Sequence, residues 1–271
     1  MFITIINDCK DDNARSRQES RVASLTGTTP SFIGVDSDIE AGMQLIDVLD
    51  ATEGREGFIL VNVAPRGGHT KKWENGTPFA YFKYKETLII SSIDGFVLSG
   101  IKQFTDTTTL KLLDTHSSSF VMQKAEFIDD IAAEHIPQSQ FRSFDFTPRV
   151  GVFLMQGNEL PNEPYPIENI PTLPPAIWHI DNFGNCKTTL TPETIASNEV
   201  LETRFGVYQY IPQLRNLPDN TSALIRGSSG LGKIRLLEFV TQRGNFAAIH
   251  TVRIGDDVFE EGHYSLSAKA L

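Results

Sequence analysis

The chain has 271 residues, 40% hydrophobic and 21% charged, which is enough apolar material for a packed core and excludes wholesale disorder. Twenty-four Lys and Arg against 34 Asp and Glu give a net charge of −10 without any Lys/Arg block, which argues against a nucleic-acid or anionic-membrane partner. The two cysteines, Cys9 and Cys186, form no CxxC pair, and no apolar run approaches the roughly 18–20 residues that span a bilayer, which argues against a disulfide framework, a thiolate zinc centre and a transmembrane helix.

The length suits one large or two small domains. Phe2–Ile6 is a β-rich run ending at Asn7 and Asp8, and it reads as a buried strand that delivers a carboxylate at its C-terminal end. Lys10, Asp11 and Asp12 follow at once and leave no signal-peptide apolar region, so a cytoplasmic protein is expected. A polar helix over 11–24 follows, then a strand at Phe32–Val35. The spacing of Ile39, Met43, Ile46 and Leu49 predicts a helix, and a third strand at Phe58–Val61 completes a β-α-β-α-β order. That order predicts an α/β domain with a largely parallel sheet over residues 1–157. Further strands are expected at Phe79–Tyr84 and Thr87–Ser91, with Lys85 and Glu86 as a tight turn, and at Leu110–Leu113. A helix is expected over Glu126–Glu134, ended by Pro137. Six prolines between 158 and 175 exclude a helix or central strand and read as a linker. Beyond it, Ala176–Ile180, Val207–Ile211, Ala223–Arg226, Leu236–Thr241 and Ala247–Arg253 read as short strands of a small all-β, barrel-like domain over 176–271.

Gly227 to Lys233 fits G-x-x-x-x-G-K, but Ile234 stands where a phosphate-binding loop needs Ser or Thr, and the flanking segments are β-like. The plainer reading is a glycine-rich turn. The six histidines form no HExxH pair, and no metal site is expected. No G-x-S-x-G elbow is present. Asp8 stands where α/β proteins bind ligands, outside the carboxyl end of a strand, and there a carboxylate can accept both hydroxyls of a ribose diol; the alternative is an N-cap for the next helix. Residues 180–185 pack Asp181, Phe183, Gly184 and Asn185 together. Asn can read an adenine edge and Phe can stack on the ring, while the spacing alone is that of a β-turn.

Several segments together resemble the S-adenosyl-L-methionine hydroxide adenosyltransferase (SAM hydrolase) family, whose halide-using relatives are the fluorinases and chlorinases. Ile3–Asp8 resembles the family's opening strand. Ile180–Asn185 with Lys187–Leu190 resembles its "IDxFGNxxTN" stretch, Ser228–Gly230 with Leu236–Asn245 its "NSSGLLEIAVNRGS" segment, and Ile254–Asp257 its closing "KPGDPV". Asp94 and Gly95 stand at its "DNG" turn. The resemblance runs from Met1 to about Val258 and is most specific in the C-terminal third. It implies an α/β domain followed by a β-barrel, and a trimer that holds S-adenosylmethionine between the N-terminal domain of one subunit and the C-terminal domain of its neighbour. It implies Asp8 on the ribose hydroxyls, Asp181 on the methionine ammonium, Phe183 and Asn185 on the adenine, Ser228 on the methionine carboxylate, Asn245 offering backbone groups to adenine, and Asp94 in the binding set. No separate cofactor is implied, S-adenosylmethionine being the substrate or ligand.

The sequence departs from the family where water is activated. Ala64 replaces the Asp of "DPGVG", Lys71 or Lys72 stands near the Arg position, and Val121 replaces the His of "STFHGRD". The segment between Leu25 and Asp36 is short and lacks "THxI", and about five residues, Leu231 to Arg235, are inserted. The loop is locally basic instead, so Arg66, His69, Lys71 and Lys72 are the candidates to poise hydroxide or hold another anion. Two functions are therefore expected to compete. One is hydrolysis of S-adenosylmethionine to adenosine and methionine by attack of water or hydroxide at the ribose 5′ carbon; the other is a non-catalytic S-adenosylmethionine- or adenosine-binding or oligomeric interaction protein.

Overall fold

The apolar run at the start of the chain forms β1 (Phe2–Asn7), buried along nearly its whole length, as in a parallel sheet covered on both faces, and it has a neighbouring strand on each side. Those neighbours are β2 (Ser31–Gly34) and β3 (Gly57–Asn62), both parallel to it. The structure is a computed structural model that describes residues 1–64, 76–195 and 200–260. Helix α1 (Asp12–Thr26) connects β1 to β2. Asp11 caps it, its carboxylate accepting the N–H groups of Asn13 and Ala14, and Gly27 ends it in the left-handed region. Helix α2 (Asp38–Ala51) connects β2 to β3 from a Ser37 cap, burying Ile39, Met43, Leu45, Ile46 and Leu49 as one face.

After β3 the sheet changes character. β4 (Phe79–Tyr84) and β5 (Thr87–Ser92) are joined by Lys85 and Glu86, and a two-residue connection can link only antiparallel strands. Then come α3 (Ser99–Phe104), β6 (Thr109–Leu113), α4 (Thr115–Lys124), α5 (Asp130–Gln138), α6 (Arg142–Asp145), α7 (Thr147–Met155) and β7 (Asn162–Pro166). The seven strands lie in the order β2-β1-β3-β5-β4-β6-β7. The four strands from β2 to β5 are mutually parallel and the remaining three pairings are antiparallel, so the expected largely parallel sheet is in fact a mixed one. One face is packed by a core that includes Ile3, Ile5, Phe58, Ile90, Phe146 and Phe153. Helix α5 starts later than the expected Glu126, because Glu126 has φ 54° and Asp129 supplies the cap by accepting the Ala132 N–H; Pro137 falls inside its last turn.

The chain divides into two compact units, Met1–Thr172 and Leu173–Leu271. Part of the proline-rich segment read as a linker is built into the first unit: β7 pairs with β6 as an edge strand, and a 3₁₀ turn at Ile167–Asn169 follows. Its prolines are tolerated because an edge strand needs only half of its N–H groups. The second unit holds two antiparallel sheets, joined by an isolated bridge between Tyr210 and Leu224. One contains β8 (Ile177–Ile180), β9 (Cys186–Thr188), β12 (Ser222–Leu231) and β13 (Ile234–Thr241) in the order β12-β13-β9-β8; the other pairs β10 (Val200–Thr203) with β11 (Gly206–Gln209). Their core gathers Ile177, Cys186, Tyr208, Leu237, Phe239 and Phe246. The strand expected at Ala247–Arg253 is instead a short helix, α8 (Phe246–His250). Asn245 caps it by accepting the Ala248 N–H, and the chain leaves it through Thr251 at φ 53°.

Candidate functional site

Strand β1 is followed in space by β2 on one side and β3 on the other. The connections therefore diverge between β1 and β3, which is the switch point where open α/β sheets leave a crevice beyond the strand ends. Asp8 stands there. Its backbone N–H donates to the Asn62 carbonyl at 3.3 Å, and its Oδ2 accepts the Ala64 N–H at 3.1 Å, so the carboxylate is fixed across the crevice by the end of β3. Its Oδ1 is buried and has no hydrogen-bond partner among the described residues. The cap of α1 belongs to Asp11, which removes the N-cap alternative for Asp8.

Asn7, one residue earlier, points to the opposite face of the strand and is fully engaged. Its Nδ2 donates to Gln18 Oε1 at 2.8 Å, and its Oδ1 accepts the Cys9 N–H at 2.9 Å and Asn62 Nδ2 at 3.4 Å. On β5, the Ser92 hydroxyl bridges to the N–H and carbonyl of Val63, both at 3.3 Å, which locks the ends of β3 and β5 together. Asp94 follows β5 on the same sheet edge as Asp8, half-buried, with Oδ1 accepting the Gly95 N–H at 3.0 Å. Tyr165 is raised above the ordinary phenol range by burial first and by the Asp94 charge second. Arg66, His69, Lys71 and Lys72 lie outside the described residues. Ala64, at the position of the family's Asp, is exposed and offers only its N–H. Val121, at the position of the family's His, is a residue of α4 packed against the apolar core.

In the second unit the Asp181–Asn185 turn joins β8 to β9. Asp181 Oδ1 accepts the N–H groups of Phe183 at 2.8 Å and Asn185 at 2.9 Å, and Oδ2 accepts Asn185 Nδ2 at 3.0 Å. Asp181 thus organises the turn, as its residue types predict. Gly184 has φ 81°, and a Cβ there would lie 2.0 Å from Asn245 Oδ1, so the turn packs directly on the start of α8. The structure therefore brings Asp181, Phe183, Asn185 and Asn245 together. Phe183 stands at the tip, 68% exposed, with its ring face free for stacking. Ser228 is exposed, in an irregular stretch of β12 where the pairing with β13 slips between Arg226 and Gly230. The Gly227–Lys233 motif ends a β hairpin, and no helix opens there to receive a phosphate.

Other chemistry-bearing residues were not apparent in the sequence. Lys187 Nζ donates to Ser229 Oγ at 2.8 Å and lies 5.3 Å over the Trp178 ring. Tyr208 donates to the Phe205 carbonyl at 2.8 Å, so in the 3.1 Å contact between Tyr208 Oη and His250 Nε2 the histidine is the donor. Burial, with the Asp181, Glu238 and Asp256 charges after it, pushes the Cys186 thiol up to about 12, which makes it an inert core residue. Among the described residues no group of three His, Cys, Asp or Glu side chains is placed to hold a metal ion. A groove of about 850 Å³ lies at the other end of the strands, where β4 ends and β5 begins, and is lined by Tyr81, Lys83, Tyr84 and Lys111; none of the expected site residues that the structure describes lines it.

A mixed α/β sheet with a carboxylate at its switch point, joined to antiparallel β sheets, is the class the described elements define. The fold is similar to that of an uncharacterized conserved protein from Thermotoga maritima, with a TM-score of 0.62 and 12% identity over 94% of this chain and 98% of that one. It is also similar to a conserved hypothetical protein from Thermus thermophilus, with a TM-score of 0.60 and 16% identity over 93% of this chain and 96% of that one. No family model and no curated protein matches the chain. Among the described residues no helix is long and apolar enough to cross a membrane.

Proposed function

We propose that the protein binds S-adenosylmethionine and cleaves it to adenosine and methionine, with water or hydroxide attacking the ribose 5′ carbon. The observation that carries this reading is the buried Asp8 Oδ1 without a partner at the β1/β3 switch point. A buried carboxylate oxygen left unsatisfied is destabilising, and a ribose diol supplies the hydroxyl donor that it lacks. The exposed Phe183 ring beside Asn185 and Asn245 supports the adenine part of the reading, and the exposed hydroxyl of Ser228 the carboxylate part. Asp94 completes the ribose side and Asp181 takes the ammonium. The second unit serves as the barrel-like domain of this reading, and the assembly is a trimer.

The sulfonium is already an excellent leaving group, so the protein's task is to position the nucleophile and keep the pocket dry. General-base help adds about 10²–10⁴-fold, so without the family's Asp and His the reaction is slow rather than absent. Arg66, His69, Lys71 and Lys72 are the residues proposed to poise the anion. The second reading, a non-catalytic adenosyl-ligand binder, is favoured by Ala64 and Val121: one offers only an N–H that Asp8 already takes, and the other lies against the core. Incubation with S-adenosylmethionine between pH 6 and 9, followed by chromatography, separates the two. Accumulating adenosine and methionine support hydrolysis. Calorimetric binding with a flat adenosine yield supports the binder, and absence of binding removes both.

A further inference from the structure

We propose that the outer face of α1 is a binding site for a small phosphate monoester, held by the guanidinium groups of Arg17 and Arg21 over the Phe144 ring. Ser16, Arg17, Ser20, Arg21 and Ser24 recur along one stripe of the helix, and with Phe144 they line an open groove of about 390 Å³, a volume that suits a small molecule. The Arg17 guanidinium lies 4.7 Å and the Arg21 guanidinium 4.3 Å from the centroid of that one ring. Attraction to that one ring keeps both like charges within reach of the same groove.

The charges there are not neutralised. Arg15, on the same helix, bonds Glu19 at 3.0 Å, but neither Arg17 nor Arg21 has a carboxylate partner among the described residues. The acidic groups nearby are engaged elsewhere. Asp145 accepts the Ser139 hydroxyl at 2.6 Å and lies 3.5 Å from His135, and Asp129 caps α5. Arg149, half-buried on α7, adds a third positive charge, its pKa lowered by burial first and by Arg21 next, with the Asp145 and Asp129 charges acting the other way. This cationic spot stands in a chain of net charge −10.

The donor set selects the ligand class. Planar guanidinium forks bind oxyanions in pairs of parallel hydrogen bonds. Two unpaired cations match a dianion, and a phosphate monoester carries close to two charges at neutral pH on three acceptor oxygens, whereas a carboxylate carries one. The Ser16 and Ser20 hydroxyls, neither of which has another hydrogen-bond partner among the described residues, supply further donors on the same stripe.

The test is calorimetric titration of the full chain with glycerol 3-phosphate at neutral pH and low ionic strength, with acetate at matched ionic strength as the second ligand. Saturable binding of the phosphate ester and none of acetate is expected. Arg17→Gln and Arg21→Gln should each weaken it by roughly tenfold or more. Arg15→Gln should leave it unchanged. Arg21→Lys keeps the charge and loses the fork, so it should also bind less tightly, and it keeps the test readable where Arg21→Gln fails to fold. No saturation into the tens of millimolar, acetate binding as tightly as the ester, or Arg15→Gln weakening binding as much as Arg17→Gln would overturn the proposal. None of these outcomes depends on binding of S-adenosylmethionine.

Discussion

Asp8 and Asp181 are both aspartates beyond a strand end, and their surroundings separate them. Asp181 accepts three hydrogen bonds from its own turn, while Asp8 accepts one from Ala64 and leaves Oδ1 buried and bare. Asp8→Asn retains the shape and removes the charge. It should weaken adenosine binding by about 1.5–3 kcal/mol, the worth of a hydrogen bond to a charged group, and leave the melting temperature unchanged or raised, because an unsatisfied buried anion has been removed. Calorimetry and a thermal melt read the two effects. Asp181→Asn should lower the melting temperature, since Asn185 Nδ2 then faces an amide instead of a carboxylate. If Asp181 also meets the ligand ammonium, S-adenosylmethionine should lose more affinity than adenosine in this variant; equal losses would assign Asp181 to the turn alone.

At the level of elements, the β8–β9 turn and α8 form one packed object joined at Gly184. Gly184→Ala forces an alanine into a φ of 81° and drives its methyl group into Asn245 Oδ1. Strain of this kind costs about 1–3 kcal/mol, and the displaced Asn245 also loses its bond to the Ala248 N–H. The expected result is a lower melting temperature together with lost protection of the Ala248 amide in hydrogen exchange. This junction also shows how far the sequence could be read. The turn was legible because Asp, Asn and Gly carry local turn chemistry, and Asp8 was legible because a strand run ends on it. The contact between Gly184 and Asn245 joins residues far apart in sequence and leaves no local trace. The same holds for the Ala64 N–H on Asp8. Helix α8 leaves no helical signature in the sequence because five residues are too few for a 3.6-residue period to emerge, and the cap at Asn245 decides the outcome. The parallel half of the sheet followed from the β-α-β order. The antiparallel half is encoded in the Lys85-Glu86 turn, since two residues can join only antiparallel strands.

For the whole molecule, acid should loosen the second unit. His250 lies against Phe246 and Tyr208, and burial lowers its pKa below the ordinary 6.5. The unfolded chain therefore takes up its proton first as the pH falls. The contribution of this histidine is fully present above pH 6.5 and is lost as the pH drops from there through the lower folded value. Melting temperatures measured between pH 8 and 5 should fall, and His250→Gln, which does not titrate in this range, should flatten the slope. Assembly is a second property at this scale: light scattering at micromolar concentration should give three times the monomer mass, and a monomer would contradict the trimer reading.

The proline-rich end of the first unit has a consequence for solubility. Ile167 donates its N–H to Thr108 on the β6 side, so by the two-residue alternation of a strand the amides of Glu163 and Tyr165 also face β6, and positions 164 and 166 face outward. Both of those are prolines, with no N–H to offer, and both are exposed. The outer border of the seven-stranded sheet thus lacks two of the donors an incoming strand would pair with, while the opposite border, β2, is only four residues long. Each end of the sheet carries its own safeguard against fibre growth. Replacing Pro164 and Pro166 with threonine would restore two outward donors in a β-forming context, and the folded protein should then seed polymer that a thioflavin assay detects.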